Sequence, residues 1–141
     1  MILYLDSSAL IPLLVDEPTS FACAQLWDAA DRVVCTRLGY IEAAAALAMA
    51  ERMGRVTTDE HLRALSNLDV LWSETDVIEL GAELMAEAAE LARRHGLRGY
   101  DATHCAAAIE ANGADLVAAS GDRRLLAAWQ AEGVAVSNTS A

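Results

Sequence analysis

Ile2-Leu3-Tyr4-Leu5 runs into Asp6-Ser7-Ser8 and then into a second apolar run that begins at Ala9-Leu10. Four consecutive apolar residues, a β-branched isoleucine and an aromatic tyrosine among them, read as a short buried strand. The polar cluster after them reads as a turn, and the next apolar run as the start of a helix.

The alternation recurs along the chain. Pro18-Thr19-Ser20 offers an N-cap for a helix through Trp27, and Arg32-Val33-Val34-Cys35-Thr36 reads as a second strand. An Ala-rich helix is expected over residues 39–53, stopped by Gly54. Thr57 followed by Glu60 has capping-box spacing for a helix through Leu65, which leads into a strand near Val70-Leu71-Trp72. A longer helix is expected from Asp76, with Val77, Leu80, Leu84, Ala88 and Leu91 as its apolar stripe and His95-Gly96 as its end. Gly99-Tyr100-Asp101 opens a helix reaching Asn112-Gly113, residues 115–119 read as a strand, and Gly121-Asp122 opens a short helix through Trp129. Val134-Ala135-Val136 reads as a last strand. Strands alternating with helices predict one α/β domain, residues 1–137, with a mainly parallel central sheet flanked by helices and a short polar tail at 138–141.

Composition narrows the class. At 141 residues, 55% hydrophobic and with only two prolines, the chain has the material for a core of its own. Cys23, Cys35 and Cys105 are odd in number and form no C-x-x-C pair, so neither a disulfide framework nor a zinc ribbon is expected. The opening residues lack the basic region of a signal peptide, and no apolar stretch approaches the roughly 20 residues of a membrane span. A soluble cytoplasmic protein is the expectation. The net charge of −11 opposes binding to nucleic acid, and it stays negative when the proposed site acids are set aside. A bound cation must then supply local attraction for phosphate. All ten basic residues are arginines; lysine is absent.

Four acids fall where such a fold binds ligands. In a parallel α/β sheet, each strand's carboxyl end and the next helix's amino end share one edge, which is where ligands sit. Asp6 follows the first strand, Glu42 lies in the first turn of the helix after the second, Asp101 starts a helix, and Asp122 follows the Leu116-Val117 strand beside Ser120. Each also has an ordinary reading: aspartate is common at helix starts as a cap, and Glu42 has the position of a glutamate bonding back to the Gly39 amide. Four carboxylates on one edge would repel each other, and a hard cation resolves that conflict while keeping some of its waters.

Tyr4-Leu5-Asp6-Ser7-Ser8-Ala9-Leu10, Glu42 with its Ala-rich helix, Gly99-Tyr100-Asp101-Ala102, and Leu116-Val117-Ala118-Ala119-Ser120-Gly121-Asp122-Arg123-Arg124-Leu125 resemble the PIN-domain family, specifically its VapC-type toxins. The resemblance spans essentially the whole chain. It implies a Mg²⁺- or Mn²⁺-dependent endoribonuclease using one or two ions, the toxic partner of a VapB-type antitoxin in a type II pair, and commonly a homodimer. It further implies that Asp6 and Asp101 are the principal metal ligands, that Glu42 and Asp122 complete the ring, and that Ser7 and Ser120 orient ligands or waters. Arg123 is a candidate for RNA phosphate, as are Arg37, Arg98 and Arg124 nearby.

Other classes fit less well. A haloacid-dehalogenase-like phosphatase or a receiver domain calls for a late lysine, and the phosphatase pattern Asp-x-Asp fails at Ser8. His104 and Cys105 have no second pair at zinc-ligand spacing and read as packing residues. A PIN-like scaffold that binds RNA or protein without cutting is the main rival, and the complete set of four acids weighs against it.

Overall fold

The computed structural model describes residues 1–141 and contains five strands and seven helices. In chain order they are β1 (Ile2–Leu5), α1 (Ser7–Leu10), α2 (Ser20–Ala29), β2 (Arg32–Thr36), α3 (Arg37–Arg52), α4 (Thr58–Ser73), β3 (Thr75–Ile78), α5 (Ala82–His95), α6 (Gly99–Ala111), β4 (Leu116–Ser120), α7 (Arg123–Ala131) and β5 (Ala135–Asn138). A 3₁₀ turn, Ile11–Leu13, follows α1.

All four strand pairings are parallel, in the order β3-β2-β1-β4-β5. β1 is therefore central. Its side chains alternate between two cores: Tyr4 packs with Val34, Leu116, Ala118, Leu125 and Trp129, while Leu3 and Leu5 pack with Val33, Ala43, Leu68 and Ala119. A strand covered on both faces needs apolar residues at every position, which explains the unbroken run Ile2-Leu3-Tyr4-Leu5. Strand order reverses at β1, so the carboxyl ends of β1 and β4 frame the crevice where such sheets place their sites.

Two expectations fail together. The strand expected near Val70-Leu71-Trp72 is the last turn of α4, and the third strand is Thr75–Ile78. Leu65, Leu68, Leu71 and Trp72 recur at helical spacing and face the smaller core, so the apolar run there continues a helical stripe. Asp76 and Val77, expected to open the long helix, lie in β3, and α5 begins only at Ala82. Arg32 binds the Asp76 carboxylate at 2.6 Å, and Arg37 pairs with Glu79, tying β3 and the residue after it to β2 and to the start of α3.

The remaining ends follow local chemistry. Thr57 and Glu60 form a complete capping box, with Glu60 N to Thr57 Oγ1 at 3.1 Å and Thr57 N to Glu60 Oε1 at 2.9 Å. Gly96 ends α5 at φ 65°, a left-handed conformation that glycine adopts without strain. β5 runs to Asn138 and Thr139 is only 4% exposed, so the strand expected at residues 134–136 extends into the polar tail. Cys23, Cys35 and Cys105 are free and buried. No helix is long and apolar enough to cross a membrane.

Candidate active site

Asp6 leaves the end of the central strand and is 4% exposed. Its Oδ1 accepts from Ser8 Oγ at 2.7 Å and from the Ala9 amide at 3.2 Å, and its Oδ2 accepts from Ser120 Oγ at 2.7 Å. It therefore caps α1, the ordinary reading of this residue, while standing at the carboxyl end of the central strand. A carboxylate has about four acceptor positions, and these bonds leave one, on Oδ2, for water or a cation.

Ser120 joins Asp6 to Asp122. Its hydroxyl donates to Asp6 and accepts from the Asp122 amide at 2.9 Å. Asp122 is likewise a cap, its Oδ1 taking the Arg124 amide at 2.8 Å and the Leu125 amide at 3.3 Å, which leaves Oδ2 free of these bonds. The hydroxyl expected of Ser7 is supplied by Ser8, which donates to Asp6 and accepts from the Gly121 amide at 2.9 Å. Position decides this: Ser7 and Ser8 are successive residues of one short helix, and only Ser8 turns back onto the carboxylate and toward β4.

Glu42 departs from its expected place. α3 begins at Arg37 with Thr36 at its N-cap, so Glu42 is in the second turn and cannot form a capping box. Helical side chains lean toward the helix N-terminus, which returns its carboxylate toward the sheet edge. There Oε1 lies 2.6 Å from Nε2 of His104. Asp101 sits in the first turn of α6, three residues before His104 and on the same side of that helix.

The electrostatics of the acids agrees with this placement. Burial holds the Asp6 carboxyl above its ordinary value, opposed by the charge of His104 and by the hydrogen bonds from Ser120, Ser8 and Ala9. The Asp101 carboxyl is raised by burial and by the charges of Asp122 and Asp6, with a smaller contribution from Glu42 and opposition from His104. Three of the acids thus act on the carboxyl group of the fourth. Beside Asp101 and Asp122, a cleft of about 310 Å³ is lined by Arg98, Tyr100, Arg123 and Arg124. None of the three arginines forms an ion pair, whereas Arg32, Arg37, Arg93 and Arg94 each hold a carboxylate. Arg37, held by Glu79, is thereby committed to the fold.

The donor set suits a hard cation that keeps part of its hydration. No three His, Cys, Asp or Glu side chains stand at ligand distance from one point, so there is no closed cage of protein ligands. A Mg²⁺-like ion needs only one or two carboxylates. The free acceptor position on buried Asp6, and an Asp101 carboxyl raised by its acidic neighbours, fit such an ion. The fully buried Thr36 hydroxyl, at the end of the neighbouring strand, also lacks a hydrogen-bond partner.

Ser8, His104 and Tyr4 were not legible as site residues. Ser8 carried a signal, a second hydroxyl in the turn after β1. His104 lay one helical turn from Asp101, which placed it on the right face but did not reveal its partners.

Comparison with known proteins agrees with this construction. A family model described as the PIN domain matches residues 3–128. The chain is 39% identical over 135 residues to Ribonuclease VapC45 of Mycobacterium tuberculosis, an alignment covering 96% of this chain and 94% of that protein. The structure of PAE2754 from Pyrobaculum aerophilum matches with a TM-score of 0.71 at 26% identity, over 96% of this chain and 83% of that one. A toxin–antitoxin complex from Klebsiella pneumoniae shares the fold with a TM-score of 0.66 at 14% identity, over 96% of each chain. With the acids gathered where the central strand ends and the family pattern running through nearly its full length, this chain belongs to the PIN-domain family, and within that family it stands with the VapC ribonucleases.

Proposed function

We propose that this chain is the toxin of a type II toxin–antitoxin pair, an endoribonuclease that hydrolyses RNA phosphodiester bonds with Mg²⁺ or Mn²⁺, one ion or two, at Asp6, Glu42, Asp101 and Asp122. The observation that carries this assignment is the meeting of acids at the carboxyl ends of β1 and β4: Ser120 joins the Asp6 carboxylate to the Asp122 amide, and Asp122 lines one cleft with Asp101. A bound divalent ion supplies a polarised water, a hold on the scissile phosphate and neutralisation of charge during in-line displacement.

The residues of the chain prepare that chemistry. Ser8 and Ser120 fix both oxygens of Asp6, so the buried carboxylate meets its ligand already oriented. Asp101 and Asp122 border the arginine-lined cleft, where Arg98, Arg123 and Arg124, none of them held by a carboxylate, engage phosphates on either side of the scissile bond. Three such arginines beside the acids ease the difficulty of a chain with net charge −11. The partners we assign are RNA as substrate, a VapB-type antitoxin as neutraliser and a second copy of the chain as dimer mate, acting in the cytoplasm. The fold shared with the Klebsiella toxin–antitoxin complex supports the antitoxin.

The test is to incubate the purified chain, free of antitoxin, with structured and unstructured RNAs in Mg²⁺, Mn²⁺ or EDTA. Internal cleavage that requires metal is expected. Binding without cleavage under every condition would support a scaffold and overturn the assignment.

A further inference from the structure

His104 is 1% exposed in the middle of α6, and both of its ring nitrogens are engaged. Nε2 lies 2.6 Å from Glu42 Oε1 and Nδ1 lies 2.8 Å from the Tyr4 hydroxyl. An ionised carboxylate only accepts, so the hydrogen between His104 and Glu42 is carried on Nε2. The Tyr4 hydroxyl holds Nδ1 on the other side, so the ring is fixed at both nitrogens.

The support continues into the core. Tyr4 is fully buried on the central strand, edge-on to His104 at 5.9 Å and 73° and to Trp129 at 5.8 Å and 78°. Trp129, Tyr4, His104 and Glu42 thus form a continuous line from the core to the site. Gly39 of α3 lies beside the imidazole, where an added Cβ would be in ordinary contact with His104 Cε1 at 3.9 Å but would clash with Cys35 Sγ at 2.4 Å. Two helices that each carry a site acid, α3 with Glu42 and α6 with Asp101, are joined through this one imidazole.

We infer that His104 is the positioning residue for Glu42: its Nε2–H, backed by Tyr4, occupies Oε1 and leaves Oε2 as the unbonded Glu42 oxygen facing the chemistry. The inference rests on Glu42 belonging to the ribonuclease site, and it gives that acid a role distinct from Asp101. A histidine that merely filled the core would affect stability and leave turnover by folded enzyme unchanged. Partners that orient a ligating or activating group typically cost about 10–100-fold in activity or metal affinity when removed.

Three variants separate these cases: His104→Ala, His104→Gln, whose side-chain amide restores a donor toward Glu42, and Tyr4→Phe, which keeps the ring and removes the hydroxyl. Assayed well below each melting temperature, His104→Ala is expected to lose about 10–100-fold in kcat with KM for RNA unchanged. His104→Gln should recover most of that loss, and if the alanine variant does not fold, the glutamine and phenylalanine variants carry the comparison. In metal-free protein, ¹H–¹⁵N correlation spectra should show the His104 Nε2 carrying a hydrogen in wild type and in Tyr4→Phe. Undiminished kcat in folded His104→Ala, or an Nε2 without hydrogen in wild type, would overturn the inference. A wild-type chain that cleaves no RNA would instead remove the ribonuclease assignment, while the ¹H–¹⁵N spectrum would still decide the hydrogen bond to Glu42.

Discussion

Asp6 costs the fold stability so that the site can exist. Its carboxyl is raised by burial, so between the ordinary aspartate value and the raised one the native chain holds a proton that the unfolded chain has released. Stability therefore falls as pH rises through that interval and stays lower above it. Asp6→Asn removes this penalty and, with the serine hydroxyls free to rotate, keeps hydrogen-bond partners. In EDTA its melting temperature should exceed that of wild type at neutral pH, and the gain should vanish in acid, below the ordinary aspartate value. Added Mg²⁺ should raise the melting temperature of wild type and leave the variant unmoved, since a ligand stabilises only the state that binds it. Asp6, Asp101 and Asp122 were legible in the sequence because sheet topology fixes where strand ends go. Ser8 and His104 were less so, because a hydroxyl's direction and a buried ring's partners depend on packing across residues 100 or more positions apart.

The helix that carries Glu42, α3, lies close against β2 at Gly39. A Cβ there would stand 2.4 Å from Cys35 Sγ, a short buried side chain with little room to yield. Gly39→Ala is expected to cost about 1–3 kcal/mol by overpacking. Adding Cys35→Ala should return part of that loss, a coupling that a double-mutant cycle in denaturant would measure. α4 makes a second prediction. Leu68 is fully buried and Leu62 is 57% exposed on the same helix, so Leu68→Ala should cost about 2–5 kcal/mol and Leu62→Ala no more than about 0.5 kcal/mol. The same helix marks where sequence reasoning failed. Val70-Leu71-Trp72 is apolar enough for a strand, and only the spacing back through Leu68 and Leu65 shows that it continues a helix. Asp76-Val77 was then absorbed into the pattern of α5, whose stripe happens to extend in phase across Leu80.

The whole molecule is acidic, yet Arg98, Arg123 and Arg124, three of its six arginines without a carboxylate partner, border one cleft. Phosphate contacts release counterions, so RNA affinity should weaken as salt rises, and Arg124→Gln should reduce the slope by about 0.7 if it removes one contact to a single strand. Fold class was open to reading because β1, β2 and β4 are short, apolar and followed by helices, and the placement of β1 between β2 and β4 then brings Asp6 and Asp122 just past the ends of adjacent strands. That order is a property of the assembled sheet, which no local pattern encodes. The central claim is that four carboxylates make this sheet edge a metal-dependent nuclease. Single-turnover cleavage of RNA at saturating Mg²⁺ by wild type and by Asp101→Asn, both shown to be folded by circular dichroism, tests it most directly. Cleavage by wild type that EDTA abolishes, together with no cleavage by the variant, is the predicted result; equal cleavage by both would contradict it.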